Sequence, residues 1–280
     1  MAKVIMVQGT ASGVGKTIIV TALCRILARR GYNVAPFKAQ NITPNAVAID
    51  GGEIAASQLL QAQAAKVTPD IRMNPVVVRP VEGSPTEIIV NGEVITTTAE
   101  TEFSAIKKSL GDEAKKAYTS LSNEYDVTVI EGAGSPVELN LIKDDYVNMG
   151  IALYANAPVL LVSDIARGGV FAALYGTVSL YSEQARALVS GLIINKFLGD
   201  IDSFDEGAEI IAEITGKPIA GVVPHIPFVM PEEDAIYDPR NDVTLSDEEL
   251  ERQFEFIADE FEKHLDIELI ISIIEGSGND

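Results

Sequence analysis

Residues 8–17 read Gln8-Gly9-Thr10-Ala11-Ser12-Gly13-Val14-Gly15-Lys16-Thr17. The stretch follows an apolar run at 4–7 and leads into 17–30, where Ile18, Leu23, Ile26 and Leu27 supply a buried side and Gly31 a stop. Strand, glycine loop and helix in that order make a phosphate-binding loop, because backbone N–H groups and a helix N-terminus surround phosphate oxygens where no side chain obstructs them. Gly9, Thr10, Gly13, Val14, Gly15, Lys16 and Thr17 are the expected nucleotide contacts. Lys16 would neutralise β- and γ-phosphate charge, and the Thr17 hydroxyl would face Mg²⁺. Five residues rather than the usual four separate Gly9 from Gly15, which marks a subgroup of such loops. A glycine turn that binds nothing has no use for the lysine and threonine, yet the loop alone names no reaction.

Working outward, short apolar runs recur at 34–37, 127–130, 159–162, 192–194 and 219–223, most of them separated by enough chain for a crossover helix. The pattern predicts an α/β fold, a doubly wound and mostly parallel sheet of P-loop NTPase type. Between the second and third strands, 76–78 and 88–95 look like β structure with a hairpin signal at Asn91-Gly92, so a small antiparallel extension is expected at the sheet edge. Residues 1–235 form the expected P-loop domain, and 236–280 an acidic helical C-terminal segment or linker. In the latter, 236–242 is loop-like, and Ser246 and Glu249 make a capping box for a helix over 246–265 whose acidic face reads as solvated surface.

The chain has 280 residues, is 47% hydrophobic and carries a formal net charge of -20. That charge argues against a general attraction to nucleic acid or to anionic lipid. One cysteine, Cys24, excludes an intrachain disulfide framework and a cysteine-rich zinc site, and only His225 and His264 are available as histidine ligands. Cys24 lies inside the first helix and reads as a small packed residue. The first apolar run is too short for a secretory signal, and no run approaches membrane-spanning length, so a cytoplasmic location is expected.

A P-loop needs a second acidic group near the metal, and Glu131 stands where one belongs, at the end of the 127–130 strand. Gly132-Ala133-Gly134 then permits close backbone approach to a ligand.

With these residues in place, the chain resembles the synthetase domain of the cobyric acid synthases, a dethiobiotin-synthetase-like group of P-loop ligases. The similarity runs from about residue 4 to residue 234. It rests on 8–17, Val34-Ala35-Pro36-Phe37-Lys38-Ala39-Gln40-Asn41, Asp50-Gly51-Gly52-Glu53-Ile54, Met73-Asn74-Pro75, Glu131-Gly132-Ala133-Gly134-Ser135-Pro136, Asn148-Met149-Gly150, Asp164-Ile165-Ala166-Arg167-Gly168-Gly169-Val170-Phe171 and Glu232-Glu233-Asp234. The resemblance implies ATP- and Mg²⁺-dependent amidation of peripheral carboxylates of a corrinoid, cobyrinic acid a,c-diamide, through acyl phosphates.

It further implies catalytic roles for Lys16, Lys38 and Glu131, and a metal site drawn from Thr17, Asp50 and Glu131. Adenine contact falls to Asn195, and substrate contact to Gln40, Asn41, Asn45, Ser135, Asp164, Arg167, Gly168 and Gly169. Read without the family, Asp50 is a turn aspartate, Lys38 a solvated charge and Asn195 a capped strand end.

Members of this family normally continue into a glutamine amidotransferase domain with a Cys-His-Glu triad, and Cys24 cannot serve there. Ammonia is therefore expected from a separate or removed glutaminase, or as free ammonium. No nucleic acid and no membrane are expected as partners, and a homodimer is open. Thr96-Thr97-Thr98 and Ile42-Thr43-Pro44 depart from the family pattern at stretches that would border the substrate. The alternatives are a ligase for another tetrapyrrole carboxylate and a nucleotide switch of the partitioning and cell-division type. The latter commonly carries an early extra lysine where Thr10 and Ala11 stand here.

Overall fold

A computed structural model of the chain describes residues 2–98, 100–140, 144–228 and 245–277. In chain order the first strands are β1 (Lys3–Gly9), β2 (Val34–Phe37), β3 (Gln40–Ile42), β4 (Ala46–Ile49), β5 (Gly52–Ala55) and β6 (Val76–Arg79). The remainder are β7 (Thr86–Val90), β8 (Glu93–Thr98), β9 (Val127–Glu131), β10 (Val159–Asp164), β11 (Val189–Phe197) and β12 (Ile219–Pro224). The helices are α1 (Lys16–Arg29), α2 (Ala56–Ala64), α3 (Glu100–Leu121), α4 (Met149–Ala155), α5 (Val170–Leu180), α6 (Glu183–Leu188), α7 (Asp205–Thr215), α8 (Asp247–His264) and α9 (Ile267–Gly276).

All six apolar runs lie in one parallel sheet of order β12-β11-β10-β1-β9-β2. The chain fills one side of β1 with β2 and β9, then crosses to the other with β10, β11 and β12. The reversal at β1 opens a crevice at the carboxyl ends of the central strands, where α/β sheets bind ligands. Alternate residues of β1 feed opposite cores, as the twofold pleat requires. Ile5 and Val7 join Ile19 of α1, Phe254 of α8 and Ile270 of α9. Val4 and Met6 join Tyr118 of α3, Ile151 of α4 and Leu174 of α5.

The Asn91-Gly92 hairpin forms as expected between β7 and β8. It belongs to a separate four-stranded sheet, β3-β6-β7-β8, in which β3 and β6 run parallel and the other pairs antiparallel. Two residues, Lys38 and Ala39, carry the chain from edge strand β2 into β3. Asn74 fixes the crossing by donating from Nδ2 to the Lys38 carbonyl at 2.9 Å. An additional hairpin, β4–β5, turns at Asp50-Gly51, which the sequence marked as a turn without marking the strands beside it.

The capping box at Ser246 and Glu249 is present, but the acidic face of α8 is not simply solvated. Arg25 of α1 is fully buried and reaches Glu251 at 2.7 Å and Glu255 at 3.1 Å, with its guanidinium over the Phe254 ring. Arg29 binds Asp259 at 2.8 Å, and Arg30 binds Glu268 at 2.8 Å. Arginines spaced along α1 therefore recruit the carboxylates, and the apolar side of α8 follows them onto the core. The stretches 232–234 and 236–242 lie outside the described residues.

The Arg25 hydrogen bond, opposed by burial, holds the Glu251 carboxyl below the usual carboxylate range. A depressed folded-state value stabilises above the unfolded value and is lost as pH falls through the folded one. Loosening of α8 is thus expected on acidification below about pH 4. Arg25→Ala is expected to lower stability by about 3 kcal/mol, since it removes a buried stem together with its ion pairs. Urea titration checks it, and limited proteolysis should cut first near α8.

Candidate active site

Gly13 and Gly15 adopt left-handed backbone, with φ of +70 and +100. A Cβ at Gly15 would stand 2.1 Å from Asn195 Nδ2, so this position admits only glycine on both conformational and steric grounds. Gly9 is similarly closed, its Cβ position lying 2.5 Å from Val14 Cγ2. Thr10 ties the loop to the neighbouring strand, with Oγ1 2.9 Å from Ser163 Oγ. Lys16 Nζ donates to the Ala11 carbonyl at 3.1 Å and to the Gly134 carbonyl at 3.3 Å, spanning the phosphate loop and the loop that follows β9.

Strand order explains how the charged groups meet. β9 lies between β1 and β2, so Glu131 at its end is flanked by Thr17, after β1, and Lys38, after β2. Glu131 is 1% exposed and Lys38 5%. Glu131 Oε1 accepts from Thr17 Oγ1 at 2.9 Å and from Lys38 Nζ at 2.9 Å, while Oε2 accepts from Gln61 Nε2 at 2.5 Å. Lys38, a solvated charge when read alone, is thus half of a buried ion pair.

The Thr17 hydroxyl and Glu131 carboxylate are hard oxygen donors side by side at the head of α1, and that donor set fits Mg²⁺. Asp50 is exposed at the turn between β4 and β5. Asn195 is brought to the phosphate loop, where its Nδ2 donates to the Val14 carbonyl at 2.8 Å. Lys196 donates to the Gly13 carbonyl at 2.6 Å and pairs with Asp164 at 3.2 Å.

The substrate candidates fall into two groups. Gln40 accepts from the Tyr146 hydroxyl through Oε1, and Asn41 Nδ2 donates to Ser57 Oγ and Gln58 Oε1, each at 3.1 Å. Asn45 is tied in by its backbone, whose N–H donates to Thr43 Oγ1 at 3.0 Å. Ser135 sits in the loop after β9, where Oγ accepts from the Val137 N–H at 3.4 Å. On the other side of β1, Asp164 accepts from the Ala166 N–H at 2.8 Å, and Gly168 and Gly169 take φ of +77 and +76 to start α5. Arg167 is exposed, with its Nη2 3.7 Å from the point a Gly13 Cβ would occupy, so it overhangs the phosphate loop.

Sequence reasoning missed the supports. Asn148 pins Ala133 from both sides, accepting from its N–H at 3.0 Å and donating to its carbonyl at 2.7 Å. Asp145 accepts from the N–H groups of Val147, Asn148 and Gly150. Gln61 on α2 carried no local signal either. Cys24 is buried, and burial followed by the charge of Glu131 pushes its pKa up, which removes it as a thiolate nucleophile.

A parallel sheet reversing at a glycine loop, with lysine and threonine opening the next helix beside an acidic strand end, defines a P-loop nucleotide-binding protein of the doubly wound α/β class. The chain belongs to the CobQ/CobB/MinD/ParA nucleotide binding domain family, whose model matches residues 5–233. It is 49% identical over 241 residues to a cobyric acid synthase of Lachnoclostridium phytofermentans, covering 84% of this chain and 47% of that protein. It is 46% identical over 233 residues to the cobyric acid synthase of Photorhabdus laumondii, covering 83% and 46%. The chain thus spans about half the length of the curated relatives it matches. Among solved structures, the septum site-determining protein MinD of Pyrococcus horikoshii, complexed with Mg-ADP, aligns at a TM-score of 0.48 and 16% identity over 82% of this chain and 84% of that one. Among the described residues no helix is long and apolar enough to cross a membrane.

Proposed function

We propose that this chain is the ATP-dependent, amide-forming part of a cobyric acid synthase, acting on peripheral carboxylates of adenosylcobyrinic acid a,c-diamide. The carrying observation is the convergence of Thr17, Lys38 and Glu131 beside the phosphate loop, within a chain 49% identical to an enzyme of that name. Lys38 supplies a second cation beside the phosphate lysine, and amidating a carboxylate requires charge neutralised on both reactants.

A carboxylate is a poor electrophile until an oxygen carries a leaving group. In the first step a substrate carboxylate oxygen attacks the γ-phosphorus of ATP, the bond to the β–γ bridging oxygen breaks and ADP departs. Ammonia then attacks the acyl carbon, the carbon–oxygen bond to phosphate breaks, and inorganic phosphate and a proton leave. Lys16 turns from the carbonyls of Ala11 and Gly134 to the β- and γ-oxygens, and the N–H groups of the phosphate loop hold the rest of the triphosphate. Lys38, released in part from Glu131, orients the incoming carboxylate. Mg²⁺, held by Thr17 and Glu131, would neutralise charge on the β- and γ-phosphates. Ammonia comes from a separate glutaminase or from free ammonium, and the chain works in the cytoplasm.

The test combines the purified chain with Mg-ATP, ammonium chloride and adenosylcobyrinic acid a,c-diamide, following ADP release and product mass together. Mass decreases of one unit per amidation, each matched by one ADP, are the expected result. ADP release without amidated corrinoid, unchanged when a glutaminase is added, sinks this substrate. Nucleotide turnover that answers to self-association instead would point to a switch.

A further inference from the structure

Behind Glu131 lies a row of buried side-chain amides. Asn41 Nδ2 donates to Gln58 Oε1 at 3.1 Å, Gln58 Nε2 to Gln61 Oε1 at 3.3 Å, and Gln61 Nε2 to Glu131 Oε2 at 2.5 Å. Ser57 Oγ adds a bond to Gln58 Oε1 at 3.0 Å. Gln58 and Gln61 are fully buried and lie three residues apart on one side of α2, positions where a leucine would serve packing at no desolvation cost.

The direction of the row is set at one end. An ionised carboxylate only accepts hydrogen bonds, so Gln61 must turn its nitrogen to Glu131 and its oxygen to Gln58. Gln58 must then turn its oxygen to Asn41. Each amide orients the next, and rotating any of them breaks at least two bonds among buried residues.

We propose that Gln61 is a positioning residue which, through Gln58, locks the Glu131 carboxylate with Oε1 facing Thr17 and Lys38, and couples that orientation to Asn41 on strand β3. Gln61 touches neither nucleotide nor substrate; it acts through Glu131. A role for β3 in holding substrate rests on the ligase reading above, whereas the effect on Mg-nucleotide binding holds for any reaction at this site.

The test measures affinity for a fluorescent ADP analogue while Mg²⁺ is titrated, on the whole chain as wild type, Gln61→Met, Gln58→Met and the double variant, with melting temperatures alongside. Methionine keeps length and volume and removes the amide. Gln61→Met is expected to raise the Mg²⁺ concentration for half-maximal enhancement about tenfold or more, the usual consequence of losing an outer partner of a metal ligand. Affinity in EDTA should be unchanged. Gln58→Met should shift the midpoint in the same direction but less, and the double variant no further than Gln61→Met alone. An unchanged midpoint in Gln61→Met, a lower melting temperature with a normal midpoint, or independent additive shifts from the two sites would overturn the proposal. If Gln61→Met does not fold, the Gln58→Met midpoint decides alone, and no shift there overturns it. A wild type that binds Mg-nucleotide but amidates nothing sinks the ligase reading and leaves this titration interpretable.

Discussion

Glu131→Gln is expected to abolish amidation and to lower stability by about 3–5 kcal/mol, the cost of removing one partner from a buried ion pair. The substitution is isosteric, so packing is preserved and the effect is electrostatic. It takes away the carboxylate that accepts from Lys38, an ammonium only 5% exposed, and from Thr17 and Gln61 together. Lys38→Met added to Glu131→Gln should restore most of the lost stability, because replacing both members of a buried pair by uncharged groups of similar volume is often neutral. It should restore no activity. Urea titrations of the three variants and the wild type measure the first effect, and the coupled ADP and mass assay the second. Equal stability of Glu131→Gln and wild type would mean that Lys38 reaches water readily and that the pair is not the organising contact.

Lys16→Ala has the second large effect. Its ammonium spans two loops through carbonyl oxygens, charge-assisted bonds worth about 1.5–3 kcal/mol each in net terms, so the fold should survive with a lowered melting temperature. Turnover should fall by about 10²–10³-fold or more, since the charge that meets the transferring phosphoryl group is gone. Nucleotide affinity should weaken as well. Retained ADP release at the wild-type rate would remove Lys16 from the chemistry and the phosphate loop from the reaction.

The six parallel strands were legible because each is an apolar run, five of them almost wholly buried and edge strand β12 partly so, and Gly31, Asn91-Gly92 and Ser246 with Glu249 punctuated the chain as their chemistry demands. The phosphate loop was legible because its residues are contiguous. The contact of Lys38 with Glu131 was not, since 93 residues separate them and only the placement of β9 between β1 and β2 brings them together. Gln61 illustrates the same limit more sharply. A glutamine in a short alanine- and leucine-rich helix carries no sign of which carboxylate, 70 residues away, it will hold. The acidic face of α8 was misread because charge along one helix reveals nothing of the arginines on another.

The last described residues lie beside the first strand. Val4 donates its N–H to Ser277 Oγ at 3.0 Å, and Lys3 lies 3.6 Å from Glu275, so α9 finishes at the amino end of β1. The phosphate loop begins at the other end of that strand, about 20 Å away at the usual rise per residue. Residue 277 therefore lies at the floor of the sheet, with the phosphate loop at its roof.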